Sequence, residues 1–294
     1  MRKALVVPVA ALAGLLAAAA TAGASGTRSA APLAGCAKAD LALASKGVLT
    51  LGTDNPAYPP WFGGGEIKGS KWKINDPSTG KGYESAVAYA VAKKLGFAAS
   101  EVKWTVVPFT QSFAPGKKKF DFFINQVSYA PERAKNVDFS SSYYDVAQAV
   151  VVLGNKPIAK AGSVAALKGY KLGAAIGTTS YKAITDVIKP SSKPAVYDTN
   201  NDVITALKNG QIDGIVVDLP TAFYLVAAEL DNGAIVGQLP ALGGEQEHFG
   251  LVLGKGSALT ACVDKAVAAL RADGTLKKLV ATWLAKSAGA PILK

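Results

Sequence analysis

The residues best suited to chemistry in this 294-residue chain lie between Asp121 and Tyr144, in DFFINQVSYAPERAKNVDFSSSYY, where a buried strand runs directly into the start of a helix. Pro131 suits the first helical position, and the free amides of a helix start attract negative charge. Arg133 adds a planar fork of donors that fits a carboxylate. A small anion is the expected guest. For a lone PER tripeptide the ordinary reading is an exposed helix turn, so the weight rests on the longer string.

Other reactive side chains are sparse. His248 is the single histidine, and with two distant cysteines it makes a poor ligand set for a metal. The run Gly250-Leu251-Val252-Leu253-Gly254-Lys255-Gly256-Ser257 has three residues between its first glycines where a phosphate loop needs four, and a glycine separates its lysine from its serine. It reads as strand and turn. Neither GxSxG nor another nucleophile arrangement is present. Binding is favoured over catalysis, with no metal or cofactor expected.

Strands and helices alternate around these residues. Val48 to Thr53 reads as a short apolar strand ending at Asp54, and GYESAVAYAVAKKLGF as a helix with Val87, Val91 and Leu95 on one face and Gly96 as its stop. Val102 to Val107 and Phe120 to Asn125 are further strands. A second series begins at Val150 to Leu153 and passes through Ala174 to Ile176, a helix from Asp202 to Asn209, a strand from Gly214 to Val217 and a helix from Thr221 to Leu230. A return strand near Phe249 to Leu253 precedes helices over Ala261 to Arg271 and Thr275 to Lys286. This alternation favours an α/β class.

The first 24 residues combine a basic start, an apolar run and a small-residue end, as a signal peptide does, so the mature chain is expected outside the cytoplasm. Their loss removes Arg2 and Lys3 and no acids, taking the formal charge from +11 to +9. The lysines are scattered apart from Lys117 to Lys119 and no aromatic-basic motif accompanies them, so nucleic acid is not an expected partner. Cys36 admits two incompatible fates. Leu33-Ala34-Gly35-Cys36 matches a lipobox and so a lipid anchor, whereas a disulfide to Cys262 would stabilise by roughly 2–4 kcal/mol.

Five blocks in order, LTLGTDNPAYPPWF, GYESAVAYAVAKKLG, the 121–144 string, LKGYKLGAAIGTTS and GQIDGIVVDLPTA, resemble the amino-acid-binding proteins that feed ABC importers, solute-binding protein family 3. The resemblance covers about residues 48 to 286. It implies a two-lobed periplasmic-binding-protein-like α/β fold, each lobe a mostly parallel sheet flanked by helices, with two hinge crossings. Residues 25–45 become a tether, 46–147 with 248–294 one lobe, and 148–247 the other. A monomer that hands a polar or basic L-amino acid to an ABC permease, in the periplasm or at the cell surface, is the implied function.

The same resemblance assigns roles. Arg133 takes the α-carboxylate with Ser128 assisting, while Gly177, Thr178, Thr179 and Ser180 at another helix start complete the cage from the facing lobe. Asp218 takes the α-ammonium, shared with the Gln126 carbonyl beside Asn125; alone, Asp218 would read as a helix cap. Tyr58 and Phe109 sandwich the ligand side chain, and Asp54 accepts from its donors. Ala130 departs from the usual serine or threonine cap, Glu84 retains an acid in the first helix while Ala86 stands where a second acid is usual, and residues 63–81 form a long insertion. Two relatives of this fold set the alternatives: a secreted cyclohexadienyl-dehydratase-like enzyme acting on a cyclic acid, and a ligand-sensing subunit of a membrane receptor.

Overall fold

The computed structural model describes residues 33–284 and 290–294; the expected signal peptide and the first part of the tether lie outside them. The first lobe is assembled from β1 (Leu49–Thr53), α1 (Tyr83–Lys94), β2 (Val102–Val106), α2 (Phe109–Ser112), β3 (Phe122–Phe123), α3 (Pro131–Ala134) and β4 (Val137–Phe139). After β5 (Tyr144–Asp145) the chain enters the second lobe with β6 (Gln148–Leu153), β7 (Leu172–Ala175), α4 (Thr179–Lys182), β8 (Ala195–Tyr197), α5 (Asn200–Lys208), β9 (Gly214–Asp218), α6 (Leu219–Tyr224) and β10 (Gly233–Gln238). It returns through β11 (His248–Phe249) to β12 (Val252–Gly254), α7 (Thr260–Ala272) and α8 (Thr275–Trp283).

Each lobe holds a five-stranded sheet, ordered β2-β1-β3-β12-β4 and β10-β6-β9-β7-β8. Mostly parallel sheets were expected, and both are mixed. In the first, β1 pairs in parallel with β2 and β3, while β12 is antiparallel to β3 and β4. In the second, β7 is parallel to β8 and β9, while β6 is antiparallel to β9 and β10. The antiparallel members are the strands next to the crossings, where the chain arrives from the other lobe and not through a right-handed helical crossover.

Burial explains the strands. In β6, Ala149 and Val151 pack into one apolar cluster of the second lobe and Val150 and Val152 into another, so the strand is apolar throughout because both its faces are covered. Each such valine contributes roughly 1.5–3 kcal/mol of burial. In α1 the stripe Val87, Val91 and Leu95 faces the core of the first lobe, and Gly96 at φ +85° ends the helix. Gly82, before α1, has φ +89°, and a side-chain carbon there would lie 2.5 Å from the Trp61 carbonyl oxygen, so only glycine lets the 54–62 loop close against the helix.

The crossings meet in a small β5–β11 ribbon, Tyr144 opposite Phe249 and Asp145 opposite His248. Trp61 lies buried among Tyr83, Tyr144 and Phe249, with ring centroids 5.6–6.0 Å away. Cys36 and Cys262 form a disulfide with Cα atoms 5.6 Å apart, which staples the segment after the tether to α7.

The tail departs from expectation. Residues 248–294 were assigned to the first lobe, yet the last residues lie on the second. Gln238 donates to the Pro291 carbonyl (2.7 Å), Leu293 donates back to Gln238 (2.8 Å) and Val164 donates to Lys294 (2.9 Å). Leu293 is buried in a second-lobe cluster. Gly237 permits this contact, since a side chain there would meet Leu293 and Pro291 at 2.8 Å. An apolar Ile-Leu pair at the chain end gave no periodic signal long enough to place it.

Candidate functional site

Between the lobes lies a cleft of about 480 Å³. Its polar walls come from residues that follow the C-terminal ends of the parallel strands: Asp54 after β1, Pro108 to Thr110 after β2, Asn125 and Gln126 after β3, Ile176 and Thr178 to Ser180 after β7, Asp198 to Asn200 after β8, and Asp218 closing β9. Parallel strands deliver their loops to one edge, which is why open α/β sheets bind ligands there. The two lobes bring those edges face to face.

Arg133 is 7% exposed and borders the cleft. Its helix is a single turn, Pro131–Ala134, so the side chain matters more than the dipole of so short a helix. One guanidinium nitrogen donates to the Ser128 carbonyl and another to the Gly177 carbonyl of the second lobe, each at 2.7 Å. The group rests on the Phe113 ring at 4.5 Å and on Phe109 at 5.8 Å. A guanidinium has five N–H donors, so three remain for a guest.

Ser128 and Gly177 are placed behind the cleft wall, holding Arg133 through their carbonyls. The Ser128 hydroxyl turns to Glu247 and to the Thr179 hydroxyl. Thr178 caps α4 by accepting from the Tyr181 amide (3.2 Å), while Ser180 donates to the Gln148 side chain (2.7 Å). Other contacts join the lobes or lie beside their crossings. Trp61 donates to Thr221 at 2.9 Å, Lys182 pairs with Glu132 at 2.6 Å, and Gln148 bridges Asp218 (2.8 Å) and Glu247 (3.0 Å).

Asp218 stands opposite Arg133 on the second lobe. Burial, and then the neighbouring Glu247 carboxylate, push its carboxyl well above the usual carboxylate range, against the Gln148 amide and Arg133. An incoming cation would relieve that cost. Among the described residues no group of three or more histidine, cysteine, aspartate or glutamate side chains is placed to hold a metal ion.

At the other end, Asp54 accepts from the Asn55 amide (2.7 Å) and the Phe109 amide (3.0 Å), tying β1 to α2. Burial raises its pKa against those two bonds. The Tyr58 hydroxyl is buried without a partner among the described residues. Burial, and then the field of Asp54, Asp202 and Glu229, lift it to about 12, so it stays a donor. Asn125 accepts from the Thr53 hydroxyl at 3.1 Å. The long 63–81 insertion lines none of the cleft. It braces the 54–58 loop from behind, through Asn55 to Lys71 and Lys73 and through Asn75 to the Ala57 carbonyl, all at 2.9 Å.

Sequence reasoning passed over Gln148, Glu247, Trp61 and Thr221 as site residues. Gln148 and Glu247 sit at the crossings, in strand-end positions that carry no periodic signal. Glu84 had one. It lies three residues before Val87 on the apolar stripe of α1, where a charge is out of place.

With this geometry in place, comparison with known proteins is informative. The profile of the bacterial extracellular solute-binding proteins, family 3, matches residues 49–286. The L-cystine-binding protein TcyJ of Escherichia coli K12 is 31% identical over 242 residues, 81% of this chain and 83% of that protein. The ABC transporter arginine-binding protein 1 of the same strain is 32% identical over 209 residues, 69% and 81% of the two chains. The crystal structure of the substrate-binding protein of an amino acid ABC transporter superposes with a TM-score of 0.67 at 27% identity, covering 81% of this chain and all of that one.

Proposed function

Because the chain belongs to the bacterial extracellular solute-binding proteins of family 3, we propose that it captures a polar or basic L-amino acid between its lobes and delivers it to the permease of an ABC importer. One observation carries this reading: Arg133 on the first lobe and Asp218 on the second line the same cleft from opposite walls. A zwitterion placed between them satisfies both. It also replaces the repulsion of Asp218 and Glu247 with an ion pair.

The preference for polar or basic side chains rests on the far wall, where Asp54, Asp198 and Asn200 supply acceptors beside Phe109 and Tyr58. A ring face and carboxylates together suit a donor-bearing or cationic group. Similarity to cystine- and arginine-binding proteins points the same way. Capture works by differential stability, since a ligand bridging the lobes favours the closed arrangement that a permease can recognise. No covalent step is required, and the chain acts as a monomer outside the cytoplasm. With its sulfur in the disulfide, Cys36 has no thiol to lipidate, which supports a soluble mature form.

A thermal-shift and calorimetric screen of the twenty amino acids and cystine tests this reading. The expected result is a saturable shift with one small group of polar or basic ligands, and no elimination product from a cyclic carboxylic acid. Absence of any saturable shift would overturn it.

A further inference from the structure

We propose that Glu84 is the positioning residue for the ammonium half of the site, its carboxylate holding Gln126 in the backbone conformation that makes the Gln126 carbonyl an acceptor for the ligand. The inference rests on the amino-acid-binding reading above and concerns a residue outside the cleft lining.

Glu84 lies in the first turn of α1 and is 0% exposed. Among the described residues no lysine or arginine forms an ion pair with it. Three neutral donors converge on it instead. The Gln126 amide donates to one carboxylate oxygen at 2.6 Å, the Tyr143 hydroxyl donates to that same oxygen, and the Gln126 side-chain amide donates to the other. One carboxylate therefore holds both the main chain and the side chain of a single residue.

That residue needs holding. Gln126 has φ +50°, a left-handed conformation that residues with a Cβ seldom adopt. It lines the cleft, and none of the hydrogen bonds among the described residues is accepted by its carbonyl oxygen. A buried carboxylate that fixes an otherwise disfavoured backbone at a cleft wall is a device for aiming that carbonyl. Tyr143 extends the fixture to the hinge, because its amide donates to the Phe249 carbonyl at 3.0 Å. Its carbonyl in turn accepts from the Tyr83 hydroxyl at 2.7 Å.

Burial raises Glu84 to about 7, against its bonds to Tyr143 and Gln126. Its charge therefore opposes folding when ionised. Glu84→Gln, which removes the charge and keeps an oxygen acceptor for the Gln126 amide, is therefore expected to fold.

The test is calorimetry with two ligand pairs that differ only in the α-ammonium: L-arginine against 5-guanidinopentanoate, and L-glutamine against glutaramate. Glu84→Ala is expected to weaken the amino acid about tenfold or more while the des-amino partner changes less than about threefold. Glu84→Gln should recover the amino acid to within about threefold of the unmodified chain. If Glu84→Ala does not fold, Gln126→Ala, which keeps a Cβ at the disfavoured φ and loses the side-chain half of the clamp, should show the same selective loss of the amino acid over its des-amino partner. Unaltered amino-acid affinity, or equal loss of both members of a pair, would overturn the proposal. An unmodified chain that binds neither cystine nor any of the twenty amino acids would overturn the reading of the cleft itself, and this inference with it; where another amino acid binds, it and its des-amino analogue form the test pair.

Discussion

Replacing Arg133 with alanine should remove most of the ligand affinity, and the structure sets the size of the effect. Of five guanidinium donors, two are engaged by the Ser128 and Gly177 carbonyls at 2.7 Å. The three that remain suffice for a bidentate carboxylate contact. Charge-assisted hydrogen bonds contribute about 1.5–3 kcal/mol each. Losing two therefore weakens binding by roughly 3–6 kcal/mol, a factor of about 10²–10⁴ in Kd. The variant also loses a bridge between the lobes and the stacking on Phe113, so a fall in ligand affinity alone does not locate the carboxylate. Calorimetry should therefore pair L-arginine with agmatine, the same molecule without its carboxylate. In the unmodified chain arginine should bind far more tightly than agmatine, and in Arg133→Ala the two should converge, the coupling measured as a cycle. Equal weakening of both ligands, with the original preference for arginine intact, would refute the assignment of Arg133 to the carboxylate.

Two further outcomes follow from the buried acids and the staple. Asp218 and Glu84 have pKa values raised above the ordinary carboxylate range, so each holds its proton more tightly in the folded chain than in the unfolded one and stability falls as pH rises, for Glu84 between about pH 4.5 and 7. For Glu84, lifted from 4.5 to about 7, the loss is about 3 kcal/mol. Thermal unfolding of the ligand-free chain should show Tm dropping from pH 5 to pH 8, with the slope reduced in Glu84→Gln; a flat profile contradicts the burial of these groups. The ligand ammonium should lower the Asp218 pKa, so binding should release protons over the pH range in which Asp218 titrates, seen as a dependence of binding enthalpy on buffer ionisation heat that is lost in Asp218→Asn. Removal of the staple in the Cys36→Ser, Cys262→Ser pair, which closes a loop of 226 residues, should cost roughly 2–5 kcal/mol in chemical denaturation. Amino-acid affinity should stay within about threefold, because α7 lines none of the cleft.

The amino-acid sequence by itself determined the alternation of strands and helices, the two-lobed class and most of the cleft wall. Apolar runs such as β6 and the Val87-Val91-Leu95 stripe are local patterns that burial enforces within one element. Asp54, Tyr58, Phe109, Asn125, Gln126, Arg133, Thr178, Thr179, Ser180 and Asp218 were legible through the family resemblance of the blocks that hold them, and the structure gathers them around one cleft. The resemblance made Ser128 and Gly177 members of the carboxylate cage, but only the packed arrangement shows their carbonyls directed to Arg133 and their side of the wall turned away from the cleft. The same holds for the mixed strand directions, the tail lying on the second sheet, and the meeting of Gln148, Glu247 and Asp218. Ser128 and Glu247, 119 positions apart, meet only because the two lobes come together at their crossings, and no local pattern encodes that meeting. Glu84 lies between the two cases. Its place on an apolar helical face was readable in the chain, but its purpose became visible only when folding brought Gln126 and Tyr143 to its carboxylate.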